Sequence, residues 1–345
     1  MVFKLSQPNS NLDIASEGSK RRSFRSWALA GALACLLLYW SLRGIEWPRV
    51  WRAIVTARWE FVAGGVAMTV VTLFLRSLRW RVLLNAEARF SVATVFWATT
   101  AGYLGNNFLP ARGGELVRTF LISRHSSLSK TYVLTTALTE RLVDAIALVL
   151  CGSVVLAQVS SKPRWMDEAS RTTAFIAAFG GIFILALPHV EGLVRRLLRL
   201  APLPAAMRAR LLDFAGRVLL GLRAFHQAGR LSSFVFLTVV IWALDAVGVM
   251  ISTHGYGMHV SFSLALLLLT GLGLGSALPS TPGYVGIYQF VAVTVLTPFG
   301  IDRNSALAYI IVVQALWYLV VLALGGFGLY RLRNPKAVAR APAPF

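Results

Sequence analysis

The 345-residue sequence predicts an all-α fold, that of a polytopic integral membrane protein, on three observations. Hydrophobic residues make up 57% of the chain and charged residues only 14%, against about 25% charged in an ordinary soluble domain. The mean hydropathy is +0.66, and the apolar residues come in blocks near the roughly 20 residues that a membrane-spanning helix needs. The cations, 34 Lys+Arg against 14 Asp+Glu for a net charge of +20, gather between those blocks. Anionic lipid headgroups are nearer partners there than nucleic acid, and no nucleic-acid partner is expected. Cys35 and Cys151 both lie inside apolar stretches, which argues against a disulfide framework or a thiolate metal site.

The chain opens with a basic polar tail, residues 1–26, ending in Lys20-Arg21-Arg22 and Arg25. The apolar run 27–42 reads as a retained helix rather than a cleaved signal. Ala32-Leu33-Ala34-Cys35 is faintly like a lipoprotein cleavage box, but Ala32 stands where Leu is usual and apolar residues continue past it. Further apolar blocks run at about 61–75, 91–109, 131–157, 172–190, 231–253, 260–278, 284–301 and 305–330.

Charge orients them. The connection 191–230 carries Arg195, Arg196, Arg199, Arg208, Arg210, Arg217, Arg223 and Arg230, while 158–171 carries only Lys162, Arg164 and Arg171. The positive-inside rule therefore places 191–230 and both tails in the cytoplasm and 158–171 outside. This predicts a transmembrane domain over 27–332 in the cell (inner) membrane, with a cytoplasmic tail at 333–345. The loop 43–60 dissents: it carries Arg43, Arg49, Arg52 and Arg58 yet falls outside. It is expected to form an interfacial helix anchored by Trp47, Trp51 and Trp59.

Two segments look alike. Leu104-Gly105-Asn106-Asn107-Phe108-Leu109-Pro110 leads into Arg112-Gly113-Gly114-Glu115, and Leu274-Gly275-Ser276-Ala277-Leu278-Pro279 leads into Pro282-Gly283-Tyr284-Val285-Gly286. Each is an apolar half, a Leu-Pro break, and glycines that open a second helical piece. A break exposed to lipid would leave backbone groups unsatisfied, so each should be buried or line a wet cavity. With 76–90 and the stretch near Lys130 both inside, the first hairpin, about 90–129, enters and leaves from the cytoplasmic side. The second, about 260–301 and without a charged residue, enters and leaves from the opposite side. That predicts an inverted repeat with two re-entrant helical hairpins, an arrangement whose interrupted helices frame a transporter's substrate site. The bland alternative is that Leu-Pro followed by Gly simply ends a helix.

Several residues could carry chemistry. Arg112, Glu115 and Arg118 fall at i, i+3 and i+6 along one helical stripe. Gly113 and Gly114 open that helix, whose free N–H groups, with the arginine forks, suit a phosphate. The alternative is an amphipathic interfacial helix touching bulk headgroups. Glu140, Arg141 and Asp144 share one face of the helix 131–157; they form either a buried ion pair, Arg141 with Asp144, or the wall of a polar cavity. In the cavity reading Glu140 is the candidate proton or cation carrier. Asp245 is the only charge in 231–253, either protonated and hydrogen-bonded or paired with a cation of the polar cluster. Tyr288 and Gln289 in the second hairpin, with Gln314 and Tyr318 in the last helix, supply uncharged hydrogen-bonding groups, as helix glue or as ligands. His125, His189, His226, His254 and His259 show no ligand spacing, and the sequence has neither a nucleophile elbow nor a P-loop. No metal and no cofactor is assigned.

The run Asn107-Phe-Leu-Pro-Ala-Arg112-Gly-Gly-Glu115-Leu-Val-Arg118, then Thr139-Glu140-Arg141-Leu-Val-Asp144, then Pro279-Ser-Thr-Pro282-Gly283-Tyr-Val-Gly286, resembles the flippase-like membrane domain family. That family includes the N-terminal half of bacterial lysylphosphatidylglycerol synthase and many stand-alone proteins, and the resemblance covers about residues 25–332. It implies translocation of a lipid with a charged or glycosylated headgroup, such as an aminoacyl-phospholipid or a polyprenyl-phosphate-linked sugar. The chain stops soon after Arg333, so the cytosolic acyltransferase-like domain of the fused synthases is expected to be absent. Two positions depart from the family pattern: Gln289 stands where Glu is expected, and Gln314 where relatives often have Arg. Two amides keep the hydrogen bonds but remove an ion pair.

The sequence thus points to a lipid flippase rather than an enzyme. Arg112 and Arg118 hold the headgroup phosphate; Glu140, Arg141 and Asp144 line its path. Asp245, Pro282, Gly283, Tyr288, Gln289 and Gln314 complete the candidate site. A separate lipid-modifying enzyme is a further candidate partner. The rival readings are a membrane-embedded transferase acting on a lipid phosphate, with Glu140 or Asp144 as general base, and an accessory scaffold for a lipid-modifying enzyme.

Overall fold

In the computed structural model of the chain, the described residues are 35–109, 113–158, 227–277 and 282–333, with isolated helical residues between 168 and 212. The expected block 172–190 and the basic connection 191–230 lie largely outside them. Among the described residues there is no strand, so the protein is all-α, as its composition predicts.

Residues 35–42 are helical. The dissenting loop forms helix α1 (Trp47–Val55), opened by Pro48. Val50 is its buried residue, while Trp47 and Trp51 are exposed, as suits indole rings at a headgroup boundary. The Glu46 backbone N–H donates to Asn304 Oδ1 at 3.0 Å, tying α1 to the distant end of the chain.

Helix α2 (Trp59–Leu84) corrects the topology read from sequence. From sequence the apolar block ends at residue 75 and 76–90 reads as a cytoplasmic flank. No Gly or Pro interrupts the chain there, and the helix runs on to Leu84 with Ser77, Arg79 and Trp80 buried. Arg76 and Arg79 are thus inside the bundle, where carboxylates of other helices offset their charge.

Next come α3 (Val92–Phe108) and α4 (Gly114–Arg124), then α5 (Lys130–Gln158). The Thr94 backbone N–H donates to Ser91 Oγ at 3.1 Å, capping α3. After the connection come α6 (Ala228–His254), α7 (Phe262–Ala277), a 3-10 turn at Pro282–Tyr284, α8 (Ile287–Leu296) and α9 (Arg303–Arg331). The first predicted break falls at its Leu-Pro, since α3 stops at Phe108 with Leu109 extended as its C-cap; α7 is described as far as Ala277, and the second Leu-Pro lies outside the described residues. Among the described residues, α2, α6 and α9 are long and apolar enough to cross a membrane. Helix α5 equals α9 in length, 29 residues, but carries Glu140, Arg141 and Asp144.

Helices α2 and α6 run antiparallel along each other: the Arg58 N–H donates to Gly255 O at 2.8 Å at one end, and Arg79 reaches Thr238 toward the other. Helix α3 lies antiparallel to α9, with Trp97 against Phe327 (4.8 Å between ring centroids) and Tyr103 against Trp317 (5.7 Å). Helix α7 packs on α5, where Thr270 Oγ1 donates to Leu148 O at 3.0 Å.

The two hairpins share one packing device. In the first, Gly102 and Gly105 of α3 face Arg118 and Gly114 of α4, so the legs are antiparallel and nearly in backbone contact. A Cβ on Gly114 would collide with the Gly102 carbonyl oxygen and lie 2.6 Å from Asn106. In the second, Gly271 and Gly275 of α7 face Val291 and Ile287 of α8. Lipid supplies little hydrophobic drive between helices, so close approach at small residues is what holds such legs together.

Candidate functional site

Four arginines and four carboxylates form one continuous ionic chain across the bundle. At its centre Arg79 of α2 grips Asp144 of α5 with both terminal nitrogens, Nη1 to Oδ1 at 2.6 Å and Nη2 to Oδ2 at 2.7 Å. Its Nη2 also donates to Glu140 Oε1 at 3.0 Å, and its Nη1 to Thr238 Oγ1 at 3.1 Å. From Glu140 the chain passes to Arg118 Nη1 at 2.8 Å. Arg118 pairs closely with Glu115, and Glu115 Oε1 accepts from Arg141 Nε at 2.8 Å. From Asp144 it passes the other way, to Arg76 Nη1 at 3.6 Å and on to Asp245, which accepts from Arg76 Nη2 at 2.5 Å.

The formal charges of the eight side chains cancel. Each guanidinium also lies over an aromatic ring: Arg76 over Trp242, Arg79 over Phe234, Arg118 over Trp80 and Arg141 over Tyr103, at 4.7, 5.1, 4.5 and 4.9 Å from the centroids. Balanced pairing and ring contact are how a low-dielectric interior tolerates charges whose isolated burial would cost several kcal/mol each.

A cavity of about 370 Å³ opens against one side of this network. Arg76, Glu115, Arg141, Asp144 and Asp245 line it, with Tyr103, Asn106, Asn107, Trp242, Ser276, Tyr284, Tyr288, Gln314 and Trp317. Most of the rest of its lining is aliphatic, including Val62, Leu73, Leu269 and Val313, with the hydroxyl-bearing Thr69, Thr72, Ser252 and Tyr309 among it. Arg79, Glu140 and Arg118 stand behind that wall.

The residues singled out from sequence therefore divide. Arg141 meets Glu115 rather than Asp144, and Asp144 meets Arg79 and Arg76. Asp245 has a cation partner, which decides between the two states its isolation left open. Arg118 is 2% exposed; its Nη2 donates to Ala137 O at 3.0 Å and its other nitrogens face Glu115 and Glu140. At the start of α4 the Gly114 N–H donates to Asn106 Oδ1 at 3.0 Å, while Gly113 takes the N-cap position. Arg112 lies outside the described residues.

In the second hairpin Pro282 opens the 3-10 turn. Gly283 and Gly286 follow with φ of 75° and 91°, backbone that favours glycine. The Gly286 N–H donates to Gln289 Oε1 at 2.8 Å, and Gln289 Nε2 donates to Gln314 Oε1 at 2.6 Å. Gln314 Nε2 returns to the Gly283 carbonyl at 2.6 Å and to Tyr318 Oη at 2.6 Å, and Tyr318 also contacts that carbonyl. The two amides thus lock the turn onto α9. Tyr288 stacks on Tyr284 at 5.1 Å over the cavity.

Sequence reasoning missed Arg76 and Arg79. Their i, i+3 spacing at the end of an apolar block was a signal, but arginines at a block's edge read equally well as a cytoplasmic flank. It also passed over Tyr103, whose Oη accepts from Arg141 Nη1 at 3.3 Å.

Comparison with known proteins agrees with this architecture. The family described as "Lysylphosphatidylglycerol synthase TM region" matches residues 27–325. A UPF0104 membrane protein of Methanothermobacter thermautotrophicus is 21% identical over 323 residues, 88% of this chain and 92% of that one. A UPF0104 membrane protein of Methanocaldococcus jannaschii is 23% identical over 67% of this chain and 97% of its own length. Glycosyltransferase AglD of Haloferax volcanii is 23% identical over 86% of this chain, which spans 52% of that protein. No solved structure matches significantly. The chain belongs to the family of lysylphosphatidylglycerol synthase transmembrane regions.

Proposed function

We propose that the protein moves a lipid with a charged or glycosylated headgroup between the leaflets of the cell membrane, with both termini cytoplasmic. One observation carries the reading: a largely apolar cavity among the membrane helices has two guanidiniums, Arg76 and Arg141, on its wall together with polar aromatic residues. A headgroup with phosphate oxygens finds charge-assisted donors there, while its acyl chains stay in the bilayer. Since Arg118 stands behind the wall, the phosphate falls to Arg76 and Arg141, and Arg118 acts as a positioning residue through Glu115 and Glu140.

The packing supports alternating access. In the succession α2, α3, α4, α5 the first hairpin's α3 packs on α9; in the succession α6, α7, α8, α9 the second hairpin's α7 packs on α5. Such an exchange of partners is what an inverted repeat of two re-entrant hairpins produces, and rocking of one copy against the other opens the cavity to either side in turn.

Reconstitution into liposomes tests the reading. Labelled anionic lipid should change leaflets faster than in protein-free liposomes, and Arg141→Ala should lower the rate about tenfold, as expected for loss of one charge-assisted contact. A rate equal to empty liposomes overturns it. The AglD relative is named a glycosyltransferase, which supports a second reading, a membrane-embedded transferase. A new lipid species made by the purified protein, and lost in Asp144→Asn, whose carboxylate lines the cavity, would favour that one.

A further inference from the structure

The transport reading leaves the headgroup either cationic, as in an aminoacylated lipid, or purely anionic. We propose that the cavity selects an anionic, phosphate-bearing headgroup without an ammonium group. This rests on that reading only in taking the cavity as the headgroup site.

An ammonium group brings three donors and no acceptor, so its site must offer uncommitted acceptors. Every carboxylate on the cavity wall already faces at least one guanidinium, which offsets the charge an ammonium would seek. Glu115 serves Arg118, Arg141 and Asn106; Asp144 serves Arg79 and Arg76; Asp245 serves Arg76. The second hairpin, where a carboxylate could have stood, presents Gln289 and Gln314, and the Gln314 oxygen is taken by Gln289.

The surplus is on the other side. Two buried nitrogens of cavity-lining residues have no hydrogen-bond partner, Asn107 Nδ2 and Trp242 Nε1. Asn107 is only 4% exposed, so water at the protein surface does not satisfy it. Buried donors of this kind ordinarily find acceptors, and an exception calls for a physical reason. Asn107 shares its end of α3 with Asn106, which bonds the Arg141 partner Glu115. Trp242 lies over the Arg76 guanidinium. The unpartnered donors thus accompany the two cavity arginines, and each pair makes a cradle for acceptor-only oxygens. A phosphate ester supplies such oxygens, and an ammonium supplies none.

The test uses the purified full-length protein in detergent and follows its melting temperature with added phosphatidylglycerol, lysyl-phosphatidylglycerol or inorganic phosphate. Phosphatidylglycerol should stabilise it at a concentration about tenfold below that required of lysyl-phosphatidylglycerol. Asn107→Leu and Trp242→Phe, which remove the donors and keep the bulk, should each erase most of that preference. Competition by millimolar inorganic phosphate would support recognition of the phosphate itself, and stabilisation by the lipid alone would support a lipid-borne one. Equal or tighter binding of lysyl-phosphatidylglycerol, or a preference untouched by both substitutions, overturns the inference and leaves transport standing. An anionic preference in detergent with no leaflet exchange of any lipid in liposomes would instead sink the transport reading and keep the site.

Discussion

Arg141 and Gln314 hold equivalent places in two helices of equal length. Each is the twelfth residue of a 29-residue helix, and each bonds the first turn of its hairpin's second leg: Arg141 to Glu115 at 2.8 Å, Gln314 to Gln289 at 2.6 Å. One hairpin is thus fastened by an ion pair and the other by a pair of amides.

The amide pair predicts a charge cycle. Gln289→Glu alone or Gln314→Arg alone places an unpaired charge in a buried site and should destabilise the protein by about 3–5 kcal/mol. The double substitution recreates the geometry of Glu115 and Arg141 and should recover most of that loss. Melting temperatures of the two single variants and the double variant check it; additive losses would show that the two positions do not couple.

Arg79 is the keystone of the ionic chain. Arg79→Leu takes from Asp144 its main partner and from Glu140 one of its two guanidiniums, leaving Arg118, and should cost about 3–5 kcal/mol, seen as loss of monodisperse protein after purification. Adding Glu140→Gln and Asp144→Asn should restore much of the yield, since neutral amides tolerate burial better than stranded carboxylates.

Close packing of the first hairpin predicts a steric effect at one glycine. Gly114→Ala puts a methyl group onto the Gly102 carbonyl and should lower thermal stability by roughly 1–3 kcal/mol, the range for overpacking. Gly229, with open space around it, is the control: Gly229→Ala should stay within about 0.5 kcal/mol.

The placement of α1 is testable through its exposed indoles. With brominated lipids at graded depths, Trp47 and Trp51 fluorescence should be quenched most strongly by bromines near the headgroups. Quenching deepest at the bilayer midplane would contradict an interfacial helix.

Much of this was legible in the sequence because membrane helices announce themselves through composition. The first Leu-Pro break marked its hairpin's tip, and Glu140, Arg141 and Asp144 stood out because a charge inside an apolar run is costly unless it faces partners within the bundle. Pairing was not legible. Arg141 neighbours Asp144 on its own helix yet bonds Glu115 from another, because α5 faces α2 with one side and α4 with the next. Arg76 and Arg79 were hidden for a related reason. The end of an apolar run marks the end of a span only when the polar residues there meet water, and here they meet carboxylates from α5 and α6.

The proposal that the charged cavity wall carries the headgroup is open to a charge-neutral deletion. Arg76 and Asp245 pair with each other at the cavity, so replacing both with leucine removes one charge of each sign, and Asp144, which loses its 3.6 Å contact with Arg76, keeps both bonds from Arg79. The account predicts a folded protein with a melting temperature within a few degrees of the parent, and leaflet exchange of labelled phosphatidylglycerol reduced to the protein-free rate. Undiminished exchange by that folded variant would contradict it.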